Sequence, residues 1–166
     1  VDFEKMSLPL GAWILFRLLA SFCGVFGFSV MFNSPVRLAA VAAGIGAVAN
    51  TLRLELVDLT ACPPAAAAFM GALAAGLLAS LIKSRVGCPR ISVTVPSIVI
   101  MVPGLYLYRG FYNLGMMSLS ASASWFASAI LIVAALPLGL IFARILTDKT
   151  FRSVSYTHLT LPTILR

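Results

Sequence analysis

The sequence is poor in charge. Asp, Glu, Lys and Arg supply 10% of its residues, against roughly 25% in an ordinary globular domain. So few charged side chains cannot cover the outside of a water-soluble fold of this length, which excludes a soluble domain over most of the chain. Acids are scarcer still, five in all, and none lies in the middle of an apolar run. Histidine occurs once, at His158, and cysteine three times, at Cys23, Cys62 and Cys88. Three cysteines make no disulfide framework and here show no metal-ligand spacing, so they read as small apolar fillers. No phosphate-binding Gly loop, Ser/His/Asp set or metal constellation is present. The chain is therefore expected not to be an enzyme and to need no cofactor or metal.

What is present is apolar sequence: 61% hydrophobic residues and a mean hydropathy of +1.04. A spanning helix needs about 20 mostly apolar residues. Five stretches meet or approach that length, and they predict an all-α integral membrane bundle of about five transmembrane helices. The stretches run from Leu10 to Phe32, Val36 to Leu52, Pro63 to Ile82, Ile91 to Tyr108 and Ala123 to Leu146. The formal charge of +7 then reads as basic residues flanking membrane spans rather than as a nucleic-acid surface.

With five crossings, one side of the membrane holds Arg37, Lys83, Arg85, Arg90, Arg144, Lys149 and Arg152. The other holds Lys5, Arg53 and Arg109, with Asp2, Glu4, Glu55 and Asp58. The basic side should be cytoplasmic, which puts the N-terminus outside and the C-terminus inside. Trp13, Tyr106, Tyr108, Tyr112 and Trp125 then fall near the outer boundary as an aromatic belt. A re-entrant fourth segment would instead split the basic residues evenly, and full crossing fits better. The start is acidic where a signal peptide is basic, and Val1 in place of Met fits a chain cut from a longer reading frame. Residues 1–152 are expected to form one transmembrane domain. Residues 153–166 look like translated adapter read-through and are expected to be a non-native tail.

Small residues recur at four-residue spacing. Ala67, Gly71, Ala75 and Ala79 form one stripe, Ala68, Ala72, Gly76 and Ser80 its neighbour, and Ala39, Ala43 and Ala47 a third. Such stripes let helices approach closely in lipid and mark faces packed against protein. The stretch from Val95 to Arg109 carries Pro96, Pro103 and Gly104 inside an apolar span. Pro103 should break the fourth helix at the Pro-Gly pair, and irregular backbone at membrane depth is tolerated only inside protein or beside a watery cavity. A plain proline kink is the competing account. Arg53 and Arg17 lie close enough to the interface to snorkel, while Glu55 and Asp58 read as wet. Ser92, Thr94 and Ser97 have a structural role, bonding backbone carbonyls near Pro96, at least as available to them as substrate contact. With no acid in the middle of a span, any proton-titrating group would come from another chain or module.

Three features in order resemble the threonine/serine exporter family, in its second membrane domain or stand-alone small subunit. The first is Gly27 to Arg37 (GFSVMFNSPVR), similar to a Phe-Asn-x-Pro-x-Arg junction between the first two spans. The second is the Gly/Ala-rich span ending in Asn50 to Arg53 (NTLR), and the third is the run from Pro96 through Pro103-Gly104 to Arg109. The resemblance covers about residues 10 to 147. It implies export of threonine and serine across a bacterial-type inner membrane by proton antiport, together with a companion membrane domain, fused or separate. On that resemblance the substrate pathway is expected to draw on Asn33, Pro35, Asn50, Arg53, Pro96, Ser97, Pro103, Gly104 and Tyr106. The partners are the lipid bilayer, the companion domain and small amino acids, with no nucleic acid. Two alternatives stand beside this: an exporter subunit for another small solute, and a non-transporting membrane scaffold or assembly subunit.

Overall fold

A computed structural model describes residues 9–86 and 89–148. The expectations made for the acidic start, Cys88, Lys149, Arg152, His158 and the 153–166 tail lie outside the described residues, as do those for the side chains of Lys83 and Arg85. Among the described residues every regular element is a helix: α1 (Leu10–Met31), α2 (Val36–Thr60), α3 (Pro64–Val86), α4 (Ile91–Val99), α5 (Gly104–Gly115) and α6 (Leu119–Thr147). Helices α4 and α5 together make one broken crossing, so five stretches are long and apolar enough to span a membrane. The protein is a multi-pass all-α membrane bundle whose fourth span is broken at Pro-Gly.

Two boundaries differ most from the sequence reading, while α3 runs on to Val86 and α6 begins at Leu119. Helix α2 continues through Arg53, Glu55 and Asp58 to Thr60 instead of ending at Leu52, and α5 continues past Arg109 to Gly115. In both places the charges that seemed to end a span are met by a neighbouring helix. Arg17 of α1 pairs with Glu55 and Asp58, and Arg109 lies 4.8 Å from the centroid of the Trp125 ring on α6.

The turns use the residues their geometry requires. Asn33 closes α1 with φ 57°, a left-handed conformation that Asn tolerates better than most residues. The Ser34 amide then reaches back to the Ser29 carbonyl at 3.1 Å. Pro35 precedes the first residue of α2, where its missing N–H costs nothing and its fixed φ suits the helix start.

Small residues set the packing. The most extensive contact is between α3 and α6, followed by α1 with α2. A Cβ at Gly139 would sit 2.6 Å from the Phe69 carbonyl, and one at Gly76 would sit 2.5 Å from the Cβ of Ala143. The stripe of Ala68, Ala72, Gly76 and Ser80 thus faces α6, and Ser80 Oγ donates to Thr147 Oγ1 at 2.9 Å. Its neighbour faces α2 and the break, since a Cβ at Gly71 would lie 3.1 Å from Arg53 Cβ and 3.4 Å from Met101 Sδ. Ala39, Ala43 and Ala47 of α2 are buried as well.

Candidate functional site

The site is built on what Pro103 removes. With no N–H, Pro103 cannot bond back to Val99, and its ring would clash with the preceding turn. Helix α4 therefore ends at Val99 and tightens, with Met101 N donating to Ile98 O at 2.9 Å and Val102 N to Val99 O at 3.1 Å. Pro103 then adopts φ −79°, ψ 54°, close to an inverse γ-turn. The turn is closed by Gly104 N donating to Val102 O at 2.8 Å. Gly104 supplies no left-handed dihedral; it is the first residue of α5, where a Cβ would meet no atom within 4 Å. Pro96 behaves differently. It is buried inside α4, which runs on without a break.

The break frees backbone groups of both signs. The Met101 carbonyl, without a helical donor, accepts a hydrogen bond from Arg53 Nη1 at 3.0 Å. Arg53 is thus turned inward onto the broken helix instead of snorkelling to the surface. On the other side of the break, α5 has no side-chain cap at Pro103. The Leu105 and Tyr106 amides find no backbone acceptor among the described residues, so the positive end of the α5 dipole is uncapped.

Arg53 and the first residues of α5 border a cavity of about 200 Å³. Arg53 and Asp58 of α2 and Pro103, Gly104 and Tyr106 at the break line it, with Leu54, Val57 and Ile132 among its apolar walls. The Tyr106 ring packs on Trp125 of α6 with centroids 5.6 Å apart, which fixes that wall. Next to the cavity, Arg17 Nη1 donates to Glu55 Oε1 at 2.9 Å, with both side chains 15% exposed. Arg17 Nη2 pairs with Asp58, whose side chain is 50% exposed. The Arg17 guanidinium also lies 4.9 Å from the centroid of the Trp13 ring. Glu55 is therefore a shielded ion-pair partner and not a wet loop residue, because Arg17 compensates its charge.

Of the nine residues nominated from sequence, Arg53, Pro103, Gly104 and Tyr106 come together on this cavity. Asn33 and Pro35 lie at the α1–α2 turn. Asn50, Pro96 and Ser97 are buried between helices and do not line it. Asn50 Nδ2 donates to Ser21 Oγ at 2.8 Å. Ser97 Oγ reaches the carbonyls of Val93 at 2.7 Å and Ala42 at 3.0 Å. Sequence reasoning missed Asp58. The signal was present in the spacing, because Arg53, Leu54, Val57 and Asp58 fall on one face once α2 is continued as a helix.

The family model for the threonine/serine exporter, ThrE, matches residues 17–146. The chain belongs to the threonine/serine exporter family. The match starts at Arg17, and it contains the break, every residue lining the cavity and the Arg17–Glu55–Asp58 cluster. No curated protein and no solved structure matches the chain. Its family assigns this exporter-type chain to membrane transport, which implies a transporter rather than an enzyme.

Proposed function

We propose that this chain exports threonine and serine across a bacterial-type inner membrane in exchange for protons, acting with a companion membrane domain. The observation that carries the reading is the broken fourth span, whose uncapped α5 start and Arg53 border one small cavity. A zwitterionic substrate must have its carboxylate held away from bulk water. A helix N-terminus with open amides is suited to an anion, and discontinuous membrane helices present such ends to carboxylates. The substrate carboxylate rests against the Leu105 and Tyr106 amides, with Arg53 beside it. The volume, below the roughly 300–1,000 Å³ of drug-sized pockets, suits a small amino acid.

The placement of acids supports the companion domain. The described spans hold no acid or histidine at mid-depth, and Glu55 and Asp58 both lie in the last two turns of α2. A proton-coupled carrier needs a titrating group within the membrane, and the companion domain supplies it. The Asn33–Pro35 turn lies on the cytoplasmic side, and the cavity faces the outer half of the membrane.

The test is replacement of Pro103-Gly104 by Ala-Ala in the complete exporter. Ala-Ala restores a continuous helix and pairs the Leu105 and Tyr106 amides with carbonyls of the preceding turn. Threonine efflux from loaded cells should be abolished while the amount of protein in the membrane is unchanged. Efflux at the wild-type rate would refute the reading. Antiport has its own readout: threonine uptake into everted vesicles, the direction that corresponds to export from the cell, should respond to an imposed pH gradient.

A further inference from the structure

Asp58 is the one acid among the described residues on the wall of the cavity, and its present partner does not depend on it. Arg17 holds Glu55 and stacks on Trp13 as well as pairing with Asp58. If Asp58 turns away, Arg17 keeps a carboxylate and an aromatic face, so no buried charge is stranded. Glu55 is shielded at 15% exposure, whereas Asp58 at 50% is open to an incoming group.

We propose that Asp58 binds the ammonium group of the transported amino acid, and that Arg17 occupies Asp58 when the cavity is empty. The inference rests on the reading above, which places the substrate carboxylate beside Arg53 and the first amides of α5. Arg53 and Asp58 belong to one face of α2, five residues apart, and border the same cavity. A ligand bearing both charges on one carbon therefore meets complementary groups on both sides. Loading is an exchange of ion pairs: Asp58 gives up a guanidinium and accepts an ammonium, and the net charge around it does not change. Leu54, Val57 and Ile132 leave an apolar wall for a short side chain. The site requires both charged ends, so it discriminates against hydroxy acids, which lack the ammonium, and against amines, which lack the carboxylate.

The experiment measures concentration-dependent transport of labelled L-threonine in everted vesicles containing the complete exporter. Asp58→Asn should raise KM about tenfold or more, the size expected for losing a charge-assisted hydrogen bond, and Asp58→Glu should recover part of it. The double variant Arg17→Gln with Glu55→Gln removes the competing partner and leaves Asp58 in place. Its KM should equal or fall below that of the wild type. In the wild type, excess 2,3-dihydroxybutanoate, with a hydroxyl where threonine has its ammonium, should not compete. An unchanged KM in Asp58→Asn, equal increases in Asp58→Asn and the double variant, or competition by the dihydroxy acid would overturn the proposal while leaving threonine export standing. A wild-type exporter that moves no threonine would refute the transport reading as well.

Discussion

Asn50 and Arg53, three residues apart on α2, both find partners on other helices, one a side chain and one a backbone carbonyl freed by the break. Asn50 is 5% exposed and bonded to Ser21. Interhelical hydrogen bonds of this kind contribute about 0.6 kcal/mol on average and up to about 1.7. A double-mutant cycle between Asn50→Ala and Ser21→Ala, read from denaturant unfolding in detergent micelles, should give a coupling in that range. Arg53 spends one of its five N–H donors on the Met101 carbonyl. Arg53→Gln weakens a partly buried charge-assisted bond, so a loss of about 1.5–3 kcal/mol in the same assay is expected, together with reduced threonine efflux. A stable but inactive Arg53→Gln protein would assign the residue to substrate alone. Neither partner could be read from the sequence. Ser21 is 29 residues and Met101 48 residues away in the chain, so a polar residue in an apolar run announced only that some partner was needed. Ser97 shows the same limit, since its Ala42 acceptor lies 55 residues away.

At the scale of the element, backbone chemistry explains most of what was legible. Proline alone does not end a span here, since Pro96 and Pro137 lie inside α4 and α6. The adjoining Pro103-Gly104 pair marked the place of the break locally, although its γ-turn form was not legible. The small-residue stripes were equally local, but which helix each would meet depends on tertiary assembly. Glycine positions now separate contact from open space. Gly139 admits no Cβ without displacing the Phe69 carbonyl, the Cβ of Ala72 at 2.8 Å and the Leu73 amide at 3.0 Å. Gly139→Ala should destabilise the bundle by about 1–3 kcal/mol through overpacking, seen as a lower Tm in detergent. Gly44, also mid-helix, has nothing within 4 Å of its added Cβ. Gly44→Ala should therefore be neutral or stabilise by up to about 1 kcal/mol from helix propensity. Equal losses at both positions would mean that α3 and α6 are not as close as described.

The bundle as a whole is asymmetric in charge from end to end. One end carries Arg37 at the start of α2, Arg90 just before α4 and Arg144 in the last turn of α6. There Asp148 pairs with Arg90 at 3.1 Å and approaches Arg144 at 3.7 Å. The opposite end carries Arg17, Arg53 and Arg109, but Arg17 is compensated within the fold by Glu55 and Asp58. The number of crossings was legible from hydropathy because lipid imposes a minimum length on every span. The C-terminal end of α2 was not, because Arg53, Glu55 and Asp58 look like a loop until Arg17 from another helix neutralises the acids. The proposed orientation, with the Arg37, Arg90 and Arg144 end cytoplasmic, rests instead on the larger number of Lys and Arg residues that the sequence puts on that side. In a variant with Cys23, Cys62 and Cys88 replaced by Ser, Ser118→Cys lies in the α5–α6 turn and Ser34→Cys in the α1–α2 turn. A membrane-impermeant maleimide applied to intact cells should label Ser118→Cys and should reach Ser34→Cys only after permeabilisation. The reverse pattern would invert the molecule and place the cavity, Arg53 and Asp58 on the cytoplasmic half. Export would then begin with substrate capture at Asp58 instead of ending with release from it.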